Sequence, residues 1–231
     1  MPISQLRPTL LITAALLLGF GPPQPAGSDG NPPGQPSGPV PQRSPDQEQE
    51  VDIRGSYLRS YEYERAQDYD NAIRALSPVY EAYPSGYTVN LRMGWLFYLN
   101  GNFANAVAHY EVAGAAAPSA LEPKLGRLLP LMAQGRWDSA EALAYQIVSV
   151  DHYSYYGNLR LGIALRMQGK LDAAYQVVLK MATAYPTDTL FLQELARLAV
   201  ARGDQDEAVR LYTDVLILDP ENQEARTYLE G

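Results

Sequence analysis

Cysteine is absent from the 231 residues, and histidine occurs only at His109 and His152. Without cysteine there can be no disulfide framework, thiol nucleophile or cysteine-bound metal, and the redox compartment stays open. The two histidines stand far apart, in neither an H-x-x-x-H nor an H-E-x-x-H spacing, so no metal site is expected. P-loop, G-x-S-x-G and dinucleotide fingerprints are missing as well. The densest acids, Asp204, Asp206 and Glu207, fall at a helix start, where they answer the helix dipole. No catalytic residue and no cofactor is expected, and the chain does not read as an enzyme. A basic excess is lacking too. Net charge is -8 and is spread along the chain, a surface that repels phosphate backbones and anionic lipids. Nucleic acid is therefore not an expected partner.

Long apolar runs are also scarce. The clearest, Thr9 to Phe20, has twelve residues, short of the roughly 20 that a helix needs to cross a bilayer. Arg7 precedes it and Gly21-Pro22-Pro23 ends it, which predicts an export signal or short N-terminal anchor over 1–20. Between Gly21 and Pro45, fourteen of twenty-five residues are Gly or Pro. Such chain lacks backbone donors and carries a high ordering entropy, so 21–52 is expected to be a disordered linker. An exported protein follows, periplasmic or cell-envelope associated, with secretion also open. The absence of cysteine excludes a lipid anchor at that terminus.

What the chain does have is a period. Blocks of 34 residues beginning at Ile53, Tyr87, Leu121, Tyr155 and Thr189 place the same chemistry at the same offsets, without gaps. Position 20 is Ala72, Ala106, Ala140, Ala174 and Ala208, small enough to let two helices close on each other. Position 15 is Gly101, Gly135, Gly169 and Gly203, with Gln67 in the first block; glycine there ends a helix in the left-handed conformation. Position 17 is Tyr69, Phe103, Trp137 and Leu171, a large group at the turn, with Gln205 the exception. Position 32 is Pro84, Pro118, Pro186 and Pro220, with His152 in the third block, and closes the second helix. Asp70, Asp138, Asp172 and Asp206 at position 18 put negative charge in the first turn of that helix.

With these offsets the chain resembles the tetratricopeptide-repeat family over 53–222, as five tandem units (53–86, 87–120, 121–154, 155–188, 189–222). The second unit is nearest the family pattern, with Gly94, Gly101, Phe103, Ala106, Tyr110, Ala113 and Pro118 in place. The third departs furthest, with Leu128 for Gly, Ala144 for an aromatic and His152 for Pro. The resemblance implies an all-α, right-handed α-solenoid of helix hairpins. Residues 223–231 read as a polar helix capping its end.

The resemblance also implies that positions 2, 5, 9 and 12 line a concave groove. Carried onto this sequence they give the expected partner-binding set Tyr57, Tyr61, Leu91, Trp95, Tyr98, Leu125, Leu129, Tyr156, Leu159, Ile163 and Arg166. Aromatic and aliphatic groups where solvent is expected mark a docking face for a peptide or partner helix; the competing reading is that they pack on neighbouring repeats. The residues with which some family members clamp a chaperone tail are not matched, since the corresponding positions hold Tyr57, Tyr61, Arg92, Glu122 and Gly126. The expected function is an adaptor or scaffold holding a protein or peptide. The alternative is a structural subunit of an envelope, secretion or polysaccharide-handling complex, or a self-assembling protein. Carbohydrate stacking on Tyr153, Tyr155 and Tyr156 ranks below ordinary packing of that cluster.

Overall fold

The computed structural model describes residues 51–231, so the signal reading of 1–20 and nearly all of the linker reading of 21–52 lie outside the described residues. Among those described, eleven helices follow one another and no strand occurs. They are α1 (Ile53–Arg65), α2 (Tyr69–Ala82), α3 (Tyr87–Leu99), α4 (Phe103–Ala116), α5 (Glu122–Ala133), α6 (Trp137–Val150), α7 (Tyr155–Met167), α8 (Leu171–Ala184), α9 (Thr189–Arg202), α10 (Gln205–Leu218) and α11 (Gln223–Glu230). The first ten pair into five antiparallel hairpins of one 34-residue unit each.

Each hairpin turns at position 15. The four glycines there have φ between +67° and +78°, which only a residue without a side chain adopts cheaply. At the first such turn the N–H of Gly101 donates to the Tyr98 carbonyl, and the next N–H, of Asn102, reaches back to Phe97. These two bonds satisfy carbonyls that the end of α3 would otherwise leave open. Gln67 makes the same turn at φ +59°, with its N–H on Glu64 O and that of Asp68 on Tyr63 O. Position 16 then caps the second helix: Asp68, Asn102 and Asp204 accept from the backbone N–H three residues on.

All five alanines at position 20 are completely buried, the smallest side chain allowing the closest helix approach. A second rule couples positions 8 and 24. A β-carbon built on Gly94 would lie 3.0 Å from the Tyr110 ring, and one on Gly162 would lie 2.4 Å from Val178 Cγ2. The third unit exchanges the sizes, with Leu128 at position 8 and Ala144 at position 24, both completely buried. Its departure from the family pattern thus keeps the summed volume of the pair, which is what a close-packed interior requires.

Neighbouring units are joined by polar stitches as well as apolar contact. Asn90 and Asn158, both at position 4 and buried, each donate two amide N–H bonds to the carbonyls of the preceding turn: Pro84 and Gly86, and His152 and Ser154. Their amide oxygens face His109 Nδ1 at 2.8 Å and Lys180 Nζ at 2.6 Å. Tyr87 works across units in the same way, donating to Glu122 at 2.5 Å, and Tyr155 ties the start of its unit to the end, donating to Asp188 at 2.7 Å. Burial, then the bond to Glu122 and its charge, push the Tyr87 hydroxyl up to about 12. The abundance of tyrosine is in part an abundance of such stitches.

Contacts follow sequence order. Each helix packs on the next, and α3 packs on α5, α5 on α7 and α7 on α9. The second helices do not pack on one another in this way, so the first helices from α3 to α9 form a continuous layer. At the C-terminal end α11 buries Ala225 against the last hairpin.

Candidate functional site

The first helices carry the eleven residues singled out from the sequence, and their surroundings differ. Tyr57, Leu91, Leu125, Leu129, Tyr156 and Ile163 are half-buried, each with part of its side chain left to solvent. Tyr61 is 39% exposed, its ring covered on one side by the Arg92 guanidinium 3.9 Å from the ring centre. These seven, on α1, α3, α5 and α7, keep apolar or aromatic surface after the units have packed.

Trp95, Tyr98 and Leu159 are buried, at 8%, 5% and 7% exposure, and are withdrawn from the free surface. The physical reason is the closeness of successive first helices. Trp95 Nε1 reaches across to donate to Glu64 Oε1 at 2.6 Å, and the Trp95 and Tyr98 rings lie 5.7 Å apart on the one helix. Arg166 is likewise engaged inside the fold: its Nε and Nη2 donate to the two oxygens of Glu194 at 2.6 and 3.3 Å. The Tyr155 ring is edge-on to both Tyr156 and Phe191 at 4.9 Å and so forms an inter-unit contact, whereas Tyr153 stands 60% exposed.

A charge pattern missed in the sequence organises this layer. Position 12 of one unit meets position 6 of the next. Glu64 receives a 2.5 Å ion pair from buried Arg92, whose Nε and Nη2 also donate to Ser60 Oγ at 3.2 and 3.1 Å. Between the fourth and fifth units the signs are reversed, Arg166 at position 12 meeting the completely buried Glu194 at position 6. Glu194 also takes Arg197 at 3.1 Å, and Arg197 pairs on with Glu224 of α11. Burial favours the neutral Glu224, but Arg197 and Tyr212 outweigh it and hold the carboxyl below its ordinary range. These pairs are hydrogen-bonded on several sides, the condition under which a buried ion pair is tolerated. The signal was available as complementary charge at a separation of 28 residues.

The same two positions between the third and fourth units hold Met132 and Arg160. Arg160 is 5% exposed, and no carboxylate pairs with it among the described residues. Its Nη1 donates to the Leu125 carbonyl at 2.7 Å, and its guanidinium carbon lies 5.2 Å from the Tyr156 ring centre. Burial pulls its pKa down to about 10, against a small opposing pull from Tyr98, Tyr156 and Tyr110.

No group of three or more acidic or histidine side chains placed to hold a metal occurs among the described residues. No described helix is long and apolar enough to cross a membrane.

The tetratricopeptide-repeat sequence profile matches residues 57–120, 129–189 and 194–229, well over half of the chain. The chain belongs to the tetratricopeptide-repeat family. Members of this family are protein-interaction scaffolds, and the repeat array described above has that architecture. Comparison with curated protein sequences gave no match. Among solved structures, MamA 41-end from Desulfovibrio magneticus RS-1 is 16% identical with a TM-score of 0.67, over 75% of this chain and 98% of that one. YrrB, described as a TPR protein with an unusual peptide-binding site, is 13% identical with a TM-score of 0.62, over 78% of this chain and 93% of that one. MamA MSR-1 is 23% identical with a TM-score of 0.59, over 73% and 98%. At these identities the likeness concerns the fold.

Proposed function

We propose that this tetratricopeptide-repeat protein is an adaptor that holds an extended peptide or helix of a partner protein along the inner layer of first helices. The observation that carries the reading is the set of Tyr57, Tyr61, Leu91, Leu125, Leu129, Tyr156 and Ile163, whose side chains keep free surface after the units have packed. Rigid aromatic and aliphatic groups on a fixed scaffold dock a partner at low ordering cost. A protein of similar fold, YrrB, has a peptide-binding site, which supports a peptide-sized occupant here. Export is part of the proposal, supported by the apolar run from Thr9 to Phe20 after Arg7.

A photo-crosslinking residue placed in turn at Leu129 and Ile163, and for comparison at the exposed Leu179 and Val209 of second helices, tests the docking face. Partner adducts are expected from the inner positions alone; adducts from the outer positions alone would move the docking face elsewhere. Fractionation of the same cells tests export, and recovery of the full-length chain in the cytoplasm would refute it.

The second reading, self-assembly, draws on one observation. Leu58, at position 6 of the first unit, is 52% exposed, and Ile53 at the start of the same helix is 42% exposed, where later units bury position 6. Mass measurement over a range of concentrations decides it, since a constant monomer mass excludes association through that end.

A further inference from the structure

The turn that leads into a first helix is closed differently in the fourth and fifth units. In the fourth, Asn158 at position 4 donates to the His152 and Ser154 carbonyls. Lys180, at position 26, covers the same turn, its Nζ lying 2.7 Å from the His152 carbonyl and 2.6 Å from Asn158 Oδ1. One repeat later the turn itself is unchanged, the Asp188 N–H bonding to Tyr185 O as the Ser154 N–H bonds to Asp151 O. The side chains around it are not. Position 4 is Leu192, which has no donor, and position 26 is Asp214, an anion where the fourth unit has a cation. The Pro186 carbonyl, in register with that of His152, accepts no backbone hydrogen bond among the described residues. A cleft of about 200 Å³ lies there, walled by Pro186, Leu192, Ile217 and Leu218 and edged by Asp214. Ile217 is 72% exposed, the highest value for any large apolar side chain among the described residues. Asp214 is half-buried and pairs with Arg210 of its own helix at 3.7 Å, a surface contact that contributes little in water.

We propose that this cleft receives a lysine side chain of a partner protein, the ammonium seated between the Pro186 carbonyl and the Asp214 carboxylate and the methylene stem lying along Leu192, Ile217 and Leu218. The fourth unit holds the precedent within the same chain, since the Lys180 ammonium rests on the corresponding carbonyl. Its second acceptor there is the Asn158 oxygen; in the fifth unit Asp214 takes that part and adds a full negative charge. Lysine suits the cleft better than arginine. A slender apolar stem that ends in a compact charge matches a small apolar cleft with separate acceptors, whereas a guanidinium is planar and is best met by paired ones. The acidity of the whole molecule also favours approach of a basic partner. None of the seven first-helix residues of the proposed peptide face belongs to this cleft, so the two sites stand or fall separately.

Two variants at one position test this. Asp214→Asn removes the charge and keeps the shape, and Asp214→Lys supplies an ammonium from within the fold, as Lys180 does one unit earlier. Melting curves check that both fold. Random peptides displayed between fixed flanks, so that no terminal amine is offered, are depleted on the Asp214→Lys protein and then selected on the wild type. The selected peptides are expected to share a lysine, and to bind Asp214→Asn and Asp214→Lys about tenfold more weakly or worse. Synthetic copies with norleucine or acetyl-lysine in place of that lysine should lose binding to the same extent, while Leu129→Ser and Ile163→Ser should leave it unchanged. No peptide surviving the depletion, selected peptides without lysine, or equal binding to wild type and both variants would each overturn the proposal. Peptides that lose binding on Leu129→Ser and Ile163→Ser but not on the Asp214 variants would do so too, and would support the first-helix face. A wild-type mass that grows with concentration, against a constant monomer for Asp214→Lys, would assign the cleft to a second copy and overturn the separate partner.

Discussion

Tyr110 of α4 closes on Gly126 of α5 so tightly that a β-carbon on Gly126 would fall 2.3 Å from the ring atom Cε1. From the other side Gly94 of α3 allows only 3.0 Å, so the buried ring fills a slot whose two walls are glycine backbone. Gly126→Ala therefore overpacks a unit boundary and is expected to cost about 1–3 kcal/mol. Urea denaturation measures it, and the double variant Gly126→Ala with Tyr110→Leu should recover part of the loss. Equal losses with and without the ring would mean that the glycine matters for another reason.

Gln67 offers the opposite opportunity. It is the one non-glycine residue among those described with positive φ, and its side chain is exposed. The left-handed conformation costs an ordinary residue about 1–2 kcal/mol. Part of that is cancelled by the extra freedom glycine gives the unfolded chain. Gln67→Gly is expected to stabilise by about 0.5–1 kcal/mol, read as a higher denaturation midpoint at unchanged slope. The reverse change, Gly203→Gln, should lower the midpoint.

The all-α repeat fold was legible in the sequence because its determinants recur at fixed offsets: a buried alanine where helices cross and a turn residue at position 15 leave a signature that survives the Gln67 and His152 exceptions. The inner face was harder to read. Family positions locate Tyr61 and Trp95 on the same side of their helices, but the exposure of each depends on how closely the next unit approaches, and that distance is set by residues elsewhere. Trp95 is buried because Glu64 takes its indole N–H, while Tyr61 stays exposed with Arg92 on one face. The Leu128 and Ala144 pair shows the same limit from another angle, since a size exchange between two positions looks like degeneracy when each is read alone.

The reversed polarity of the two ion pairs makes a charge exchange informative. Glu64→Arg alone places two cations together in a largely buried site, and Arg92→Glu alone places two anions there. Each is expected to destabilise by about 3–5 kcal/mol, the range for breaking a buried pair. The double exchange recreates at these positions the order that Arg166 and Glu194 already have, so it should regain much of the loss, with a coupling of about 2–3 kcal/mol. Recovery will be incomplete because Trp95 loses its acceptor and Ser60 and Tyr61 lose the guanidinium. Additive losses in the double variant would show that the two side chains act independently.

His109 gives the fold a defined response to acid. Its ring stacks on Phe97 with centres 5.1 Å apart and meets Tyr80 edge-on. Asn90 turns both amide hydrogens to carbonyls, so its oxygen faces His109 Nδ1, which must donate, leaving Nε2 unprotonated in the neutral ring. Burial holds the His109 pKa below its ordinary value of 6.5, with no charged neighbour opposing it. The unfolded chain therefore takes up a proton at a higher pH than the folded one. The stability that neutral His109 contributes is complete above 6.5 and is lost as pH falls through the lower, folded-state pKa. His109→Gln keeps a donor for Asn90 and removes the titration. Denaturation midpoints of wild type should fall as pH is lowered from neutrality toward that of the carboxylates, and the difference between wild type and His109→Gln should shift steadily in favour of the variant. Parallel curves would mean that the histidine titrates alike in both states, and the packing of Phe97, Tyr80 and Asn90 around it would then have to be looser than described.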